Sequence, residues 1–119
     1  EISDVSLTPI IIDTHYYPLA TKILVAEDSS TMQFVFQKYL HKLGYTDITL
    51  CNNGEIAWNT IYNSSKSIEN SFDFVFLDNY MPKLSGIKVA KNINEMCKIK
   101  PTIIWMSAED IPTELLINE

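Results

Sequence analysis

Four residues with ligating or reactive oxygens stand immediately after apolar runs. KILVA, residues 22–26, is followed by Glu27 and Asp28; FDFVFL, residues 72–77, by Asp78; and TIIWM, residues 102–106, by Ser107. A carboxylate at the tip of so hydrophobic a run costs free energy to bury unless a cation or another partner compensates it. If the first and third runs lie side by side, Glu27, Asp28 and Asp78 form one acidic pocket. Close like charges repel unless a cation or a proton intervenes. Hard carboxylate oxygens suit Mg²⁺, which takes one or two carboxylates and keeps several waters. A carboxylate beside Mg²⁺ can attack phosphorus and form an aspartyl phosphate, while the metal offsets repulsion between the phosphoryl group and the acids. Asp78 is the candidate nucleophile on this reading. Taken singly, each residue has a plainer role: Asp28 as a helix cap, Ser107 as a loop hydroxyl. The set, placed after three separate runs, favours a site.

The elements that must position these groups are legible in the pattern. KILVA reads as a buried strand. Ser29 or Ser30 then caps a helix, its hydroxyl accepting a free backbone N–H. Met32, Val35, Phe36, Tyr39, Leu40 and Leu43 recur at spacings of three and four and form the helix's apolar face. Gly44 ends that helix in a left-handed conformation. DITLC, residues 47–51, reads as a second strand. Asn53 and Gly54 open a helix with Ile56, Ala57, Trp58 and Ile61, and residues 63–71 form a polar loop. Residues 72–77 are a third strand. A helix from Ser85 to about Met96 turns Ile87, Ala90 and Ile93 inward, and TIIWM is a fourth strand. Asp110 or Thr113 caps a further helix. Strand alternating with helix predicts a doubly wound α/β domain, a parallel sheet covered on both faces. In such sheets ligands bind beyond the C-terminal strand ends, where strand order reverses.

Composition excludes several classes. The 119 residues suffice for one domain with one core, and 46% hydrophobic with 20% charged is ordinary for a globular chain. The formal net charge of −6, with nine scattered lysines, argues against a nucleic-acid surface. No apolar run approaches the ~20 residues of a membrane helix. The start has no basic segment followed by a long apolar core, so a signal peptide is not expected; the absence of an initial Met fits a piece of a larger protein. Two cysteines are too few for a disulfide framework or a zinc site, and fit reduced thiols in the cytoplasm. Residues 1–20, punctuated by Pro9 and Pro18, read as a linker or N-terminal arm, and residues 21–119 as the domain.

From about Lys22 onward the chain resembles the receiver domains of two-component response regulators. The matching motifs are KILVAED with Glu27 and Asp28, VFLDNYMP with Asp78 and Met81-Pro82, SG at Ser85-Gly86, and PTIIWMSA with Ser107-Ala108. The resemblance implies a flavodoxin-like sheet of order 2-1-3-4-5 and Mg²⁺-dependent transfer of a phosphoryl group from the phosphohistidine of a histidine kinase or histidine phosphotransfer protein. It implies Asp78 as phosphoacceptor, with Glu27 and Asp28 organising Mg²⁺ and Asp28 the direct ligand. It further implies the backbone carbonyl of Tyr80 as a third protein ligand. Ser107 would turn its hydroxyl toward the phosphoryl group, small Ala108 keeping access open.

The departures are specific. The acidic pair is Glu-Asp rather than Asp-Asp, and Ser85 replaces an Asp before Gly86. The resemblance implies a fifth strand and an essential Lys after it, roughly twenty residues past Ser107, and neither is found within the sequence up to Glu119. Lys98 and Lys100 precede the fourth strand and so belong to the opposite sheet edge. Without a fifth strand, TIIWM is an exposed apolar edge that invites pairing with a second copy. A haloacid-dehalogenase-type phosphatase would need an Asp at position 80, where Tyr80 stands, and a nucleotide-binding module would need a Gly-rich loop that is absent. A pseudo-receiver, keeping the fold as an interaction module without phosphorylation, is the competing reading. His15, before Tyr16-Tyr17-Pro18, is poorly placed to act as a phosphodonor. A hybrid histidine kinase is one parent chain consistent with the linker.

Overall fold

Short β-branched and aliphatic runs alternating with amphipathic segments fold as their periods dictate. A computed structural model describes residues 17–106. Their elements run β1 (Ile23–Ala26), α1 (Ser30–Lys42), β2 (Ile48–Cys51), α2 (Gly54–Ser64), β3 (Phe74–Leu77), α3 (Gly86–Met96) and β4 (Thr102–Trp105). The strands are parallel in the order β2-β1-β3-β4. The chain passes from β1 to β2 on one side and returns to place β3 on the other. The order therefore reverses at β1 and β3, and the C-terminal ends of these two strands flank the switch point.

Alternate residues of the central strands feed two cores. Leu24, Ala26, Val75 and Leu77 meet Ala57 and Ile61 of α2 and Val89 and Ile93 of α3. Ile23, Val25, Phe74 and Phe76 meet Phe36 and Leu40 of α1. Every residue of β1 and β3 is buried, as strands covered on both faces must be.

The expected caps are present. Ser29, Asn53 and Ser85 each accept the backbone N–H three residues on, from Met32, Ile56 and Lys88. Gly44 has φ +100°; its N–H bonds the carbonyl of His41 and that of Tyr45 bonds the carbonyl of Leu40. This is a Schellman closure, completed by the fully buried Tyr45 and Leu40.

Some expectations shift. Val35 is half exposed rather than inward, because it lies about 100° round the helix from Phe36, at the margin of the buried stripe. Of the apolar residues read on α2, Ala57 and Ile61 are buried while Ile56 is exposed; on α3 Ile93 is buried as expected and Val89 joins it, while Ile87 and Ala90 are only half-buried. The third strand starts at Phe74 rather than Phe72, since the Asp73 carboxylate, not a strand carbonyl, takes the Lys22 N–H at 2.8 Å. The second helix extends through Ser64, into the stretch expected as loop. The expected arm up to residue 16, with His15, and Ser107, Ala108 and the last helix cap lie outside the described residues.

Candidate functional site

β1 and β3 are in register, Ala26 opposite Leu77, so the next residues leave the sheet together. Glu27, Asp28 and Asp78 each bring a carboxylate oxygen to within 4.8 Å of the others. The pairing of first and third strands expected from sequence thus does assemble the acids. Lys100 instead bonds the carbonyl of Cys97, ahead of β4 and at the far edge, as the sequence order required.

The three acids sit in different surroundings. Glu27 is buried, with one carboxylate oxygen accepting the Ser29 N–H at 2.9 Å. Burial raises its pKa to about 7 from 4.5, against the lowering effect of the Ser29 bond; the charges of Asp78 and Asp28 raise it further. Asp28 is exposed and Asp78 half-buried. The Asp78 N–H donates to Ala26 at 3.1 Å, continuing the ladder one residue past the strand. Its Oδ1 accepts the Tyr80 N–H at 3.2 Å, which folds the chain round the carboxylate.

The loop after Asp78 is fixed by Asn79 and Gly86. The Asn79 carbonyl accepts the Gly86 N–H at 2.9 Å, and its side-chain oxygen accepts the Ile87 N–H at 3.1 Å. A Cβ on Gly86 would lie 2.4 Å from the Asp78 carbonyl oxygen, so only glycine allows this approach. Sequence reasoning named Gly86 only as part of a motif and missed Asn79, although an amide directly after the acid and seven residues before a helix start was visible. It also missed Gln33 of α1, whose amide reaches the ends of β1 and β2.

An oxygen-only set of three convergent carboxylates fits Mg²⁺ by donor chemistry. The fold and this cluster define a doubly wound α/β domain with an acidic, cation-ready site at its switch point. Residues 23–116 match the family described as response regulator receiver domain, and the chain belongs to that family.

Among its relatives, the 3′,5′-cyclic-nucleotide phosphodiesterase regA of Dictyostelium discoideum is 34% identical over 67% of this chain, which spans 10% of that protein. Chemotaxis protein CheY1 of Helicobacter pylori (strain ATCC 700392 / 26695) is 29% identical over 80% of the chain and 73% of the relative. The crystal structure of the receiver domain of the histidine kinase CKI1 from Arabidopsis thaliana, complexed with Mg²⁺, superposes with a TM-score of 0.66. It is 23% identical, covering 80% of this chain and 72% of that one. These neighbours share the flavodoxin-like fold. No helix among the described residues is long and apolar enough to cross a membrane.

Proposed function

We propose that this receiver domain accepts a phosphoryl group from a phosphohistidine onto Asp78, with Mg²⁺, and signals by the conformational change that follows. One observation carries the reading: Glu27, Asp28 and Asp78 converge within 4.8 Å at the switch point of the sheet. Asp28 and Asp78 would hold the metal with the Tyr80 carbonyl, and Glu27 would act through its waters. Charge neutralisation on the phosphoryl oxygens is what Mg²⁺ supplies when bound.

The chain's own part is positional. β3 and the Tyr80 N–H fix the plane of the Asp78 carboxylate. An Asp78 oxygen forms the new bond to phosphorus as the nitrogen–phosphorus bond of the donor breaks, and the imidazole leaves with the electron pair and takes up a proton. Ser107 is proposed to turn its hydroxyl toward the attached group. The donor would be a histidine kinase or histidine phosphotransfer protein in the cytoplasm.

Incubation with Mg²⁺ and acetyl phosphate, followed by intact-mass measurement, tests this. In a chain that carries the family's fifth strand and Lys, one phosphoryl group is expected on the wild type and none on Asp78→Asn; residues 1–119 alone are expected to label weakly or not at all. Equal labelling of both would exclude Asp78 as acceptor; no labelling of the wild type from either acetyl phosphate or a phosphohistidine donor would favour the pseudo-receiver reading.

A further inference from the structure

Gln33 lies on the inward side of α1, about 60° round the helix from Phe36 and nearer the centre of the buried stripe than Val35. Its side-chain N–H₂ donates to the Glu27 carbonyl at 2.7 Å and to the Cys51 carbonyl at 3.2 Å. The Glu27 N–H also donates to Cys51, at 3.0 Å. One amide nitrogen therefore joins the ends of β1 and β2 at the point where their ladder stops, after Ala26 opposite Cys51.

The Glu27 carbonyl belongs to the peptide that links Glu27 to Asp28, so fixing it sets the direction in which Asp28 leaves the strand. We propose that Gln33 is a positioning residue of the metal site, orienting the Glu27–Asp28 peptide so that the exposed Asp28 carboxylate faces Asp78. This rests on the reading that the three acids hold Mg²⁺. A side chain that only packed would be replaceable by any unbranched residue of the same length; two hydrogen bonds to strand-end carbonyls are not.

Gln33→Met keeps length and packing but cannot donate. Gln33→Leu, a good helix former, serves as the second variant. Mg²⁺ affinity is read by calorimetry and stability by thermal melting, with Ile93→Val, on the opposite core, as a variant that loses stability away from the site. Both Gln33 variants are expected to bind Mg²⁺ about tenfold more weakly than wild type, the scale of one or two lost hydrogen bonds, while Ile93→Val keeps wild-type affinity. Unchanged affinity in folded Gln33→Met or Gln33→Leu, with wild type binding normally, overturns the inference alone. A parallel loss in Ile93→Val also overturns it, by showing that affinity merely follows stability. Failure of wild type to bind Mg²⁺ overturns the metal reading itself, and the inference with it.

Discussion

At neutral pH Glu27 is close to the midpoint of its titration, with a pKa of about 7 imposed mainly by burial. A carboxyl whose folded pKa exceeds its unfolded value contributes stability that is full below the unfolded value and is lost as pH rises through the folded one. The metal-free protein should therefore lose on the order of 3 kcal/mol from this group between about pH 4.5 and pH 7. Thermal melts in EDTA across that window should fall for wild type and flatten for Glu27→Gln. Saturating Mg²⁺ should remove much of the fall, because the cation favours the ionised acids. A wild-type melting temperature that rises through the window relative to Glu27→Gln would contradict the assignment. The two acids of the pair should also differ. Asp28 is exposed, whereas Glu27 is buried with one oxygen on the Ser29 N–H. Calorimetry should find Asp28→Asn weakening Mg²⁺ binding more than Glu27→Gln; the reverse order would exchange direct ligand and outer-shell group. The three acids were readable in sequence because each follows an apolar run. Gln33 and Asn79 were not read, since their partners are backbone groups, which any sequence supplies and only the fold brings within reach.

Among the elements, strand and helix types were legible because their apolar periods are unambiguous and their caps are chemically specific. Ser29, Asn53, Ser85 and Gly44 all act where their side chains, or the lack of one, predict. What sequence left open was helix rotation. Val35 and Phe36 are equally apolar, and only the position of the sheet decides that Phe36 enters the core while Val35 stays half exposed. The same holds for Ile56 beside Ala57. The Gly44 closure carries a prediction of its own. A side chain there must adopt φ near +100° and would meet Leu19 Cδ2 at 2.9 Å. Gly44→Ala should destabilise the protein by about 1–2 kcal/mol, seen as a lower denaturant midpoint, with Mg²⁺ affinity unchanged because Gly44 lies at the opposite end of α1 from the acids. A shift in affinity equal to that of Gln33→Met would mean that α1 transmits strain along its whole length.

For the whole molecule, the site ties together the two strands on which everything else is built. Glu27 and Asp28 extend β1 and Asp78 extends β3, and these strands supply both cores. A cation bridging them cannot survive separation of β1 from β3, and that separation is global unfolding rather than a local opening. Binding should therefore be linked to the full folding equilibrium. For a ligand that binds only the folded state, stabilisation is about 2.7 kcal/mol at a hundred times Kd, a sizeable share of the roughly 5–15 kcal/mol typical of a domain. Urea unfolding with Mg²⁺ at that multiple of the measured Kd should raise the unfolding free energy by this amount, moving the midpoint up by that energy divided by the slope, and leave the slope unchanged, since the surface exposed on unfolding is the same. Asp28→Asn should lose the shift at the same Mg²⁺ concentration. Native-state amide exchange adds the decisive contrast. Protection should rise by a similar free energy at Val25 and Val75, in the middle of the buried strands, as well as around Tyr80. If Mg²⁺ slowed exchange only around Tyr80 and left the two strands unaffected, the metal would be organising a loop on a sheet indifferent to it, and the picture of a site that braces the sheet would fail.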